Sequence, residues 1–475
     1  MNVTTTIALI TSYFLVLVGI AFLTSKKASN ATFFTGDKSS PWYVVAFGMI
    51  GASLSGVTFI SVPGWVMNAN FAYMQMVLGY LVGYFVIANV LLPLYYKLQL
   101  TSIYSYLETR FGFWSYKVGA TYFIISRIIG ASFRLFLVSN VLQLAVFDSL
   151  HIPYQVTVFI TIALIWVYTF KGGIKTVVWT DTLQTFFMLL ALALTLSVLS
   201  SRLDWSFTDL ITNGYNSSYS TIFQFNDYTA SNFFVKQFLA GAFIAIVMTG
   251  LDQDMMQKNL SCRTLKDAQK NMLWFSIVLV VVNLFFLLLG YVLITYSTSV
   301  GISLPDKGDD LFPLLALQEL GPFISAIFIL GVIAAAYSSA DSALTSLTTS
   351  FCVDFLGTDR TTPKKRYLIH FGFSIVLFLV ILAFKQINND SVIANVFRVA
   401  GYTYGPLLGL YSFGLFTKKS VKDKWVPLVC ILAPVLTYAI NSYSAELLNG
   451  YTFGFELLLL NGGLTFLGLV AISKK

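Results

Sequence analysis

The sequence predicts an all-α membrane protein with about thirteen transmembrane helices, and three observations support this fold class. Of the 475 residues, 57% are hydrophobic and only 11% are charged, whereas a typical soluble domain has roughly 25% charged residues. Apolar runs of about 20 residues, the length that crosses a bilayer as a helix, recur from one end of the chain to the other. The basic residues collect in alternate connections, as the positive-inside rule requires.

This composition excludes several classes of protein. A single soluble core cannot bury so much apolar surface, so soluble enzymes, disordered regulators and nucleic-acid-binding proteins are excluded despite the net charge of +8. The three cysteines are dispersed and show neither zinc-site spacing nor a disulfide framework. The sequence shows no phosphate-binding loop and no nucleophile–base pair. We therefore expect neither an ATP-driven pump nor a membrane enzyme, and no organic cofactor.

The apolar runs define the helices in order along the chain. The first run is followed by Lys26 and Lys27 rather than by a small-residue cleavage site, so we expect a retained span and not a removed signal peptide. Several runs exceed one bilayer crossing, which predicts tilt or turns outside the membrane. The predicted spans are 4–24, 43–68, 73–96, 114–147, 155–170, 176–200, 232–254, 271–297, 312–353, 367–385, 391–416, 425–442 and 452–472.

The basic residues predict the orientation in the plasma (inner) membrane. With the N-terminus outside, most of the 29 Lys and Arg residues fall in predicted inside segments, Lys258 and Lys475 among them. Outside segments contain only Arg202, Lys236, Lys307 and Lys385. One missed or extra helix would destroy this asymmetry. The pattern therefore predicts an outside N-terminus and a cytoplasmic C-terminus.

The second predicted span combines features that a regular membrane helix avoids. It contains Gly51-Ala52-Ser53-Leu54-Ser55-Gly56-Val57-Thr58 and then Pro63-Gly64. This pattern predicts an interrupted helix whose unpaired carbonyls suit a hard cation such as sodium. A proline kink with small residues for close packing is the alternative. Another polar break is expected before Gly405-Pro406 in the eleventh span.

The ninth predicted span places a carboxylate and three hydroxyls on one helical face. Ser338, Asp341, Ser342 and Thr345 are spaced i, i+3, i+4 and i+7. Oxygen ligands of this kind match an alkali cation rather than zinc or copper. Small hydroxyl residues also pack helices and bond back to their own carbonyls, which explains the serines but not the intramembrane Asp341. We favour the functional interpretation.

Other charged residues have simpler interpretations. Asp181 alone is best explained as a cap near the start of the sixth span. Asp252 and Asp254 are expected in a solvated, interfacial position at the end of the seventh span. Arg127 and Arg134 lie seven residues apart on one face of the fourth span. They either pair with carboxylates, which we favour, or contact an anionic substrate.

These residues resemble the sodium/solute symporter family, which includes sodium/glucose, sodium/proline and sodium/sialic acid carriers. The resemblance covers about residues 5–440. Its most specific piece is Lys171-Gly172-Gly173-Ile174 running into Trp179-Thr180-Asp181-Thr182-Leu183-Gln184. The stretches 55–64, 253–258 and 335–339 are also similar to the family.

The resemblance implies a LeuT-like core of two inverted five-helix repeats, whose broken helices face a central site. The first helix and an inner loop would occupy 1–42, repeat one 43–200, and an extracellular loop 201–231. Repeat two would occupy 232–418, and two C-terminal transmembrane helices 419–475. We expect the protein to function as a monomer in the lipid bilayer, with no nucleic-acid partner.

The resemblance also implies two ion sites, with sodium as the only metal. Where some relatives have a hydroxyl in the second site, this chain has Asp341, so either a second cation is held there or the site titrates. The common sodium site would use the carbonyls of Gly51, Leu54 and Ala335 and the hydroxyls of Ser338 and Ser339. The possible second site would use Asp181, Ser338, Asp341 and Ser342.

The resemblance gives a less complete picture of the solute site. In sialic acid carriers, hydroxyls matching Ser55 and Thr58 approach the substrate carboxylate, and an arginine lies near the position of Arg134. Sugar carriers have a glutamine at the position of Thr58, so a galactose-type pocket is not supported. We expect sodium-coupled import of a small organic anion or acidic sugar by alternating access. The alternatives are a membrane-embedded solute sensor without net transport, and a proton-coupled carrier that uses Asp341.

Overall fold

The computed structural model describes residues 3–26, 28–387 and 392–474. Within these ranges the chain forms helices and contains two isolated β-bridges but no strand. Lys27 and Lys475, which contribute to the predicted inside charge, lie outside the described residues, as does the first residue of the predicted eleventh span. The all-α prediction is confirmed.

We label the long helices α1 to α13, and two of these labels each cover a pair of helices separated by a break. The helices are α1 (Val3–Thr24), α2 (Trp42–Ala69), α3 (Tyr73–Lys97), α4 (Phe113–Leu150), α5 (Tyr154–Thr169), α6 (Ile174–Arg202), α7 (Phe234–Gly250 and Gln253–Leu260), α8 (Leu265–Ser299), α9 (Gly321–Leu356), α10 (Pro363–Ile387), α11 (Val392–Thr403 and Gly405–Phe416), α12 (Asp423–Ser442) and α13 (Leu457–Ala471). Short helices in the connections include Asn30–Thr35, Ser105–Arg110, Phe207–Asn216, Leu311–Leu314 and Ser444–Leu447.

The lengths of these helices define an integral membrane protein. Among the described residues, nine helices are long and apolar enough to cross a membrane, and the bent α7 brings the number to ten. Helix α5, the second half of α11, and α13 are apolar but contain only 10–17 residues, whereas a crossing takes about 20. The total of thirteen spans and the sidedness of the termini remain predictions.

Two predicted helix boundaries were wrong for identifiable reasons. The predicted ninth span starts at 312, but α9 starts at Gly321, whose φ of +87° ends the preceding segment. Pro322 follows in the first turn, where its missing N–H leaves no hydrogen bond unmade. Helix α8 starts at Leu265 rather than at 271, because the Thr264 side chain accepts from the Asp267 amide and caps the helix.

Three of the helices are broken, as the sequence predicts for α2 and α11. Ser55 has φ +48° and ψ 172° inside α2, so the carbonyls of the preceding turn lose their helical partners. Helix α7 bends by 64° between Gly250 and Gln253. Helix α11 is interrupted at Tyr404, directly before Gly405 and Pro406. The interrupted-helix prediction for α2 is confirmed, and Pro63 lies eight residues beyond the break rather than causing it.

Helix α2 forms the centre of the molecule. In its most apolar stretch 89% of the residues are buried, against 28% for α1 and 22% each for α10 and α12. It packs against α6, α8 and α9. The three exposed helices therefore form part of the periphery, where their apolar side chains suit contact with lipid. A site built around the break in α2 is enclosed by protein.

Glycines allow α3 and α7 to pack with their backbones in contact. A Cβ atom on Gly241 would lie 2.1 Å from the carbonyl oxygen of Met76. We expect Gly241→Ala to lower the free energy of unfolding by about 1–3 kcal/mol, the usual cost of overpacking. Thermal unfolding of the purified protein in detergent measures the effect. The control is Gly372→Ala on α10, where a Cβ atom meets nothing within 4 Å, and equal losses in both variants would contradict the prediction.

Candidate functional site

The break in α2 lies against the middle of α9. The Ser339 hydroxyl donates to the carbonyl oxygen of Ala52 at 3.2 Å, so the two helices are joined just before the break. A Cβ atom on Gly56 would lie 3.8 Å from the Cα atom of Ala336, which shows how closely the backbones approach. The predicted ligands of the common sodium site are all buried at this contact: Gly51, Leu54, Ala335, Ser338 and Ser339.

The atoms at this contact are suited to a hard monovalent cation. The break leaves α2 carbonyl oxygens without helical partners, and α9 supplies hydroxyl oxygens, so the possible ligands are oxygens alone. The Thr185 hydroxyl of α6 accepts from the Gly51 amide at 3.1 Å and holds the same turn of α2 from the other side. The Ala52 carbonyl, which accepts from Ser339 at this contact, was not among the carbonyls predicted as ligands.

Asp181 is part of a buried ion pair and not a helix cap. It lies two turns inside α6 and is fully buried. The Lys258 ammonium lies 2.7 Å from its Oδ2 atom, and the Ser338 hydroxyl donates to its Oδ1 atom at 2.7 Å. The prediction of a cap was therefore wrong, and so was the placement of Lys258 in an inside loop. The bend in α7 turns the polar segment 253–260 into the protein interior.

Asp341 lies close to this pair and accepts three hydrogen bonds. The donors are the Tyr168 hydroxyl at 3.0 Å, the Thr180 hydroxyl at 3.3 Å and the Ser342 amide at 2.6 Å. Thr180 precedes Asp181 on α6, so the two carboxylates are held by one stretch of that helix. The structure therefore brings the predicted second set together. Tyr168 and Thr180 were missed, because a lone hydroxyl in an apolar helix is usually structural.

A second buried ion pair links α4 to the bend in α7. Arg127 forms a hydrogen-bonded salt bridge with Asp254, and both side chains are buried. Asp252 caps the second half of α7 by accepting from the Asp254 amide, and it also accepts from the Tyr404 hydroxyl. The structural pairing of Arg127 is thus confirmed. The solvated positions predicted for Asp252 and Asp254 were wrong, because both side chains are fully buried inside the bend.

A small cavity borders the break in α2. Its volume is about 80 Å³, below the roughly 300–1,000 Å³ usual for drug-sized ligands. The Nε atom of Arg134 has no hydrogen-bond partner in the described ranges. This cavity is lined by all three predicted substrate residues, Ser55, Thr58 and Arg134. Its other polar and aromatic lining residues include Ser53, Tyr80, Tyr84, Arg127, Thr249 and Asn283.

A wider cavity of about 690 Å³ adjoins the small one. Tyr73 and Phe397 line both cavities, so these two aromatic side chains lie at the boundary between them. The wide cavity also contacts Trp65, Asp309 and other residues from the end of α2 and the connection before α9. A solute in the wide cavity would therefore meet the Tyr73 and Phe397 side chains before it reached Ser55 and Thr58.

A family profile and several known proteins match this chain. A profile of the sodium:solute symporter family matches residues 33–423. The sodium/sialic acid symporter NanT of Aliivibrio fischeri is 24% identical, over 85% of this chain and 81% of that protein. The sodium/sialic acid symporter SiaT of Proteus mirabilis is 24% identical, over 93% and 89% respectively. The human sodium/iodide cotransporter is 25% identical over 84% of this chain and 63% of that protein.

Solved structures share the fold. A Na⁺-coupled sialic acid symporter in a substrate-bound outward-open state superposes with a TM-score of 0.84 at 19% identity, over 100% of this chain and 99% of that one. Mhp1, a nucleobase-cation-symport-1 family transporter, gives a TM-score of 0.60 at 15% identity, over 93% of each chain. The family match defines a membrane transporter and not an enzyme. The chain belongs to the sodium:solute symporter family.

Proposed function

We propose that this protein is a sodium-coupled secondary active symporter that imports a small organic anion by alternating access. The observation that carries the proposal is the break in α2 at Ser55, which faces α9 on one side and the small cavity on the other. One broken segment thus supplies oxygens to the ion and hydroxyls to the solute. The same proposal has the N-terminus outside, the C-terminus in the cytoplasm and a functional monomer.

Sharing this segment explains how the two ligands are coupled. A sodium ion held by the carbonyls of Gly51, Leu54 and Ala335 and by the hydroxyls of Ser338 and Ser339 ties α2 to α9. Because the ion holds α2 in place, it also fixes the positions of the Ser55 and Thr58 hydroxyls, which contact the solute. Sodium therefore stabilises the solute-binding state, and the solute strengthens sodium binding by the same factor. The membrane potential contributes about 2.3 kcal/mol per charge per 100 mV.

An anionic solute is favoured by the charge at the small cavity. Arg127 is already paired with Asp254, whereas Arg134 lines the cavity and has no carboxylate partner at hydrogen-bond distance among the residues that the structure describes. A guanidinium binds carboxylates through two parallel hydrogen bonds. The relatives point the same way, because their names specify sialic acid, iodide and, for a human protein 25% identical over 82% of this chain and 64% of its own length, monocarboxylates. We accordingly propose Ser55, Thr58 and Arg134 as solute contacts.

The function is tested in two steps with the purified protein. Equilibrium binding of radioactive sodium in detergent, with potassium as competitor, first asks whether a selective sodium site exists. Uptake of sialic acid, small monocarboxylates and iodide into proteoliposomes under an inward sodium gradient then identifies the solute class. Solute binding without uptake would favour a sensor, and uptake driven by a pH gradient without sodium would favour a proton-coupled carrier that uses Asp341.

Arg134→Met tests the solute site. We expect it to reduce uptake of the best anion about 10- to 100-fold, because a hydrogen bond to a charged group contributes about 1.5–3 kcal/mol. Arg134→Lys should recover only part of the loss, since an ammonium cannot make the paired hydrogen bonds. Sodium binding should not change. Arg263→Gln, at an exposed position, is the control, and an equal loss in that variant would remove Arg134 from the solute site.

A further inference from the structure

Lys258 occupies an unusual position for a lysine of a membrane protein. Only 1% of its side chain is exposed, and its ammonium contacts Asp181 at 2.7 Å. Asp181 is one of the two carboxylates of the predicted second ion site, and Ser338, which belongs to both predicted sites, donates to it. A buried charge is tolerated when it is paired and hydrogen-bonded. The lysine thus supplies positive charge where an ion would otherwise supply it.

The charges around this site leave room for one further cation. Asp341 accepts hydrogen bonds from three donors, as an ionised carboxylate does, so Asp181 and Asp341 together supply two negative charges and Lys258 supplies one positive charge. The neighbouring Arg127 is balanced by its ion pair with Asp254, and Asp252 and Arg134 carry opposite charges that cancel in this count. One negative charge is therefore unbalanced. When no solute is bound, a single sodium ion at the common site neutralises it, whereas a second ion would leave an excess positive charge in a poorly solvated interior.

Oxygen ligands for another cation are nevertheless present. The hydroxyls of Ser342 and Thr345 are buried on α9 and have no hydrogen-bond partner in the described part of the chain. The Oδ2 atom of Asp181 faces the lysine ammonium and accepts no hydrogen bond from another described residue. These oxygens provide the polar environment of a second ion site. The Lys258 ammonium lies where the positive charge of a second sodium ion would be needed.

We propose that Lys258 is a tethered cation that takes the place of a second sodium ion, so that this protein binds one sodium ion per chain. The inference rests on the proposed function, since it concerns the number of coupling ions. It makes Lys258 a residue that determines ion stoichiometry. Removing its charge restores a net charge of −2 at Asp181 and Asp341, and a second sodium ion then balances it.

The test is a count of bound sodium ions at saturation, with the full-length protein in detergent. We expect one ion in the wild type, two in Lys258→Met, and one in Lys258→Arg, which keeps the charge. The double variant Lys258→Met/Asp181→Asn removes the whole pair and should return to one ion. The slope of the melting temperature against the logarithm of sodium concentration gives an independent count, because each bound ion stabilises the folded state.

Each outcome is informative. Two ions in the wild type, or one ion in folded Lys258→Met, would overturn the role of the lysine while leaving sodium coupling intact. Absence of selective sodium binding in the wild type would instead remove the proposed function itself. If Lys258→Met does not fold, the wild type, Lys258→Arg and the double variant still decide the question, since two ions in any of them contradict the proposal.

Discussion

Replacing Asp254 by asparagine is expected to lower the free energy of unfolding by about 3–5 kcal/mol, because it leaves a buried guanidinium without its counter-ion. Arg127 is only 5% exposed, so solvent does little to relieve the loss. The pair also joins α4 to the second half of α7. Denaturant titration of the purified protein in detergent, followed by tryptophan fluorescence, measures the change.

Two controls separate the buried pair from a general effect of charge. The Lys175–Asp37 salt bridge is more than one third exposed on both sides, so Asp37→Asn should cost no more than about 1 kcal/mol. The double variant Arg127→Met/Asp254→Leu removes both buried charges and should regain most of the stability. A loss in Asp254→Asn no larger than that in Asp37→Asn would show that the pair does not stabilise the fold.

Ser339→Ala is expected to weaken sodium binding about 10- to 100-fold, since it removes one of the proposed hydroxyl ligands, and the interaction of a hydroxyl with a charged group contributes about 1.5–3 kcal/mol. The Ser339 hydroxyl is also the direct link from α9 to the broken segment of α2. Equilibrium binding of radioactive sodium measures the dissociation constant. Potassium competition shows whether selectivity is lost together with affinity.

Ser346→Ala is the matched control for the sodium measurement. Ser346 lies on the same helix and is equally buried, but its hydroxyl donates to the Ala343 carbonyl within α9. We expect its sodium affinity to stay within a few-fold of the wild type. An unchanged sodium affinity in folded Ser339→Ala would place the ion away from the contact between α2 and α9. The proposed ligand set would then have to be abandoned.

Much of the fold could be predicted from the sequence because its signals are local. Apolar length identifies the long helices, and the clustered glycines and hydroxyls around Ser55 correctly mark the break in α2. The same holds for Gly405 and Pro406 in α11. The wrong boundary of α9 shows the limit, since the apolar residues from Leu311 onward were joined to the span across Gln318 and Glu319, whereas the helix starts at Gly321.

The charged centre could be predicted only in part because its contacts join distant segments. The stretch 253–260 is polar enough to be taken for a loop, and only the bend between Gly250 and Gln253 turns it inward. Lys258 and Asp254 are four residues apart and lie on the same face of one helix. Each needs a partner of opposite charge when it is buried. The predicted spans contain Asp341 and Arg134 as well as the two true partners, so the sequence alone could not assign either ion pair.

The polar contacts of the second half of α7 limit how the helices can move relative to one another. Asp254 joins it to α4, Lys258 joins it to α6, and Asp252 joins it to the interruption in α11 through Tyr404. Separating these partners would leave unpaired charges in a poorly solvated interior. We therefore expect Gln253–Leu260 to move together with α4 and α6 as a rigid unit. Any change of shape during transport is then expected to occur by rotation of the backbone outside this unit, above all at the break at Ser55.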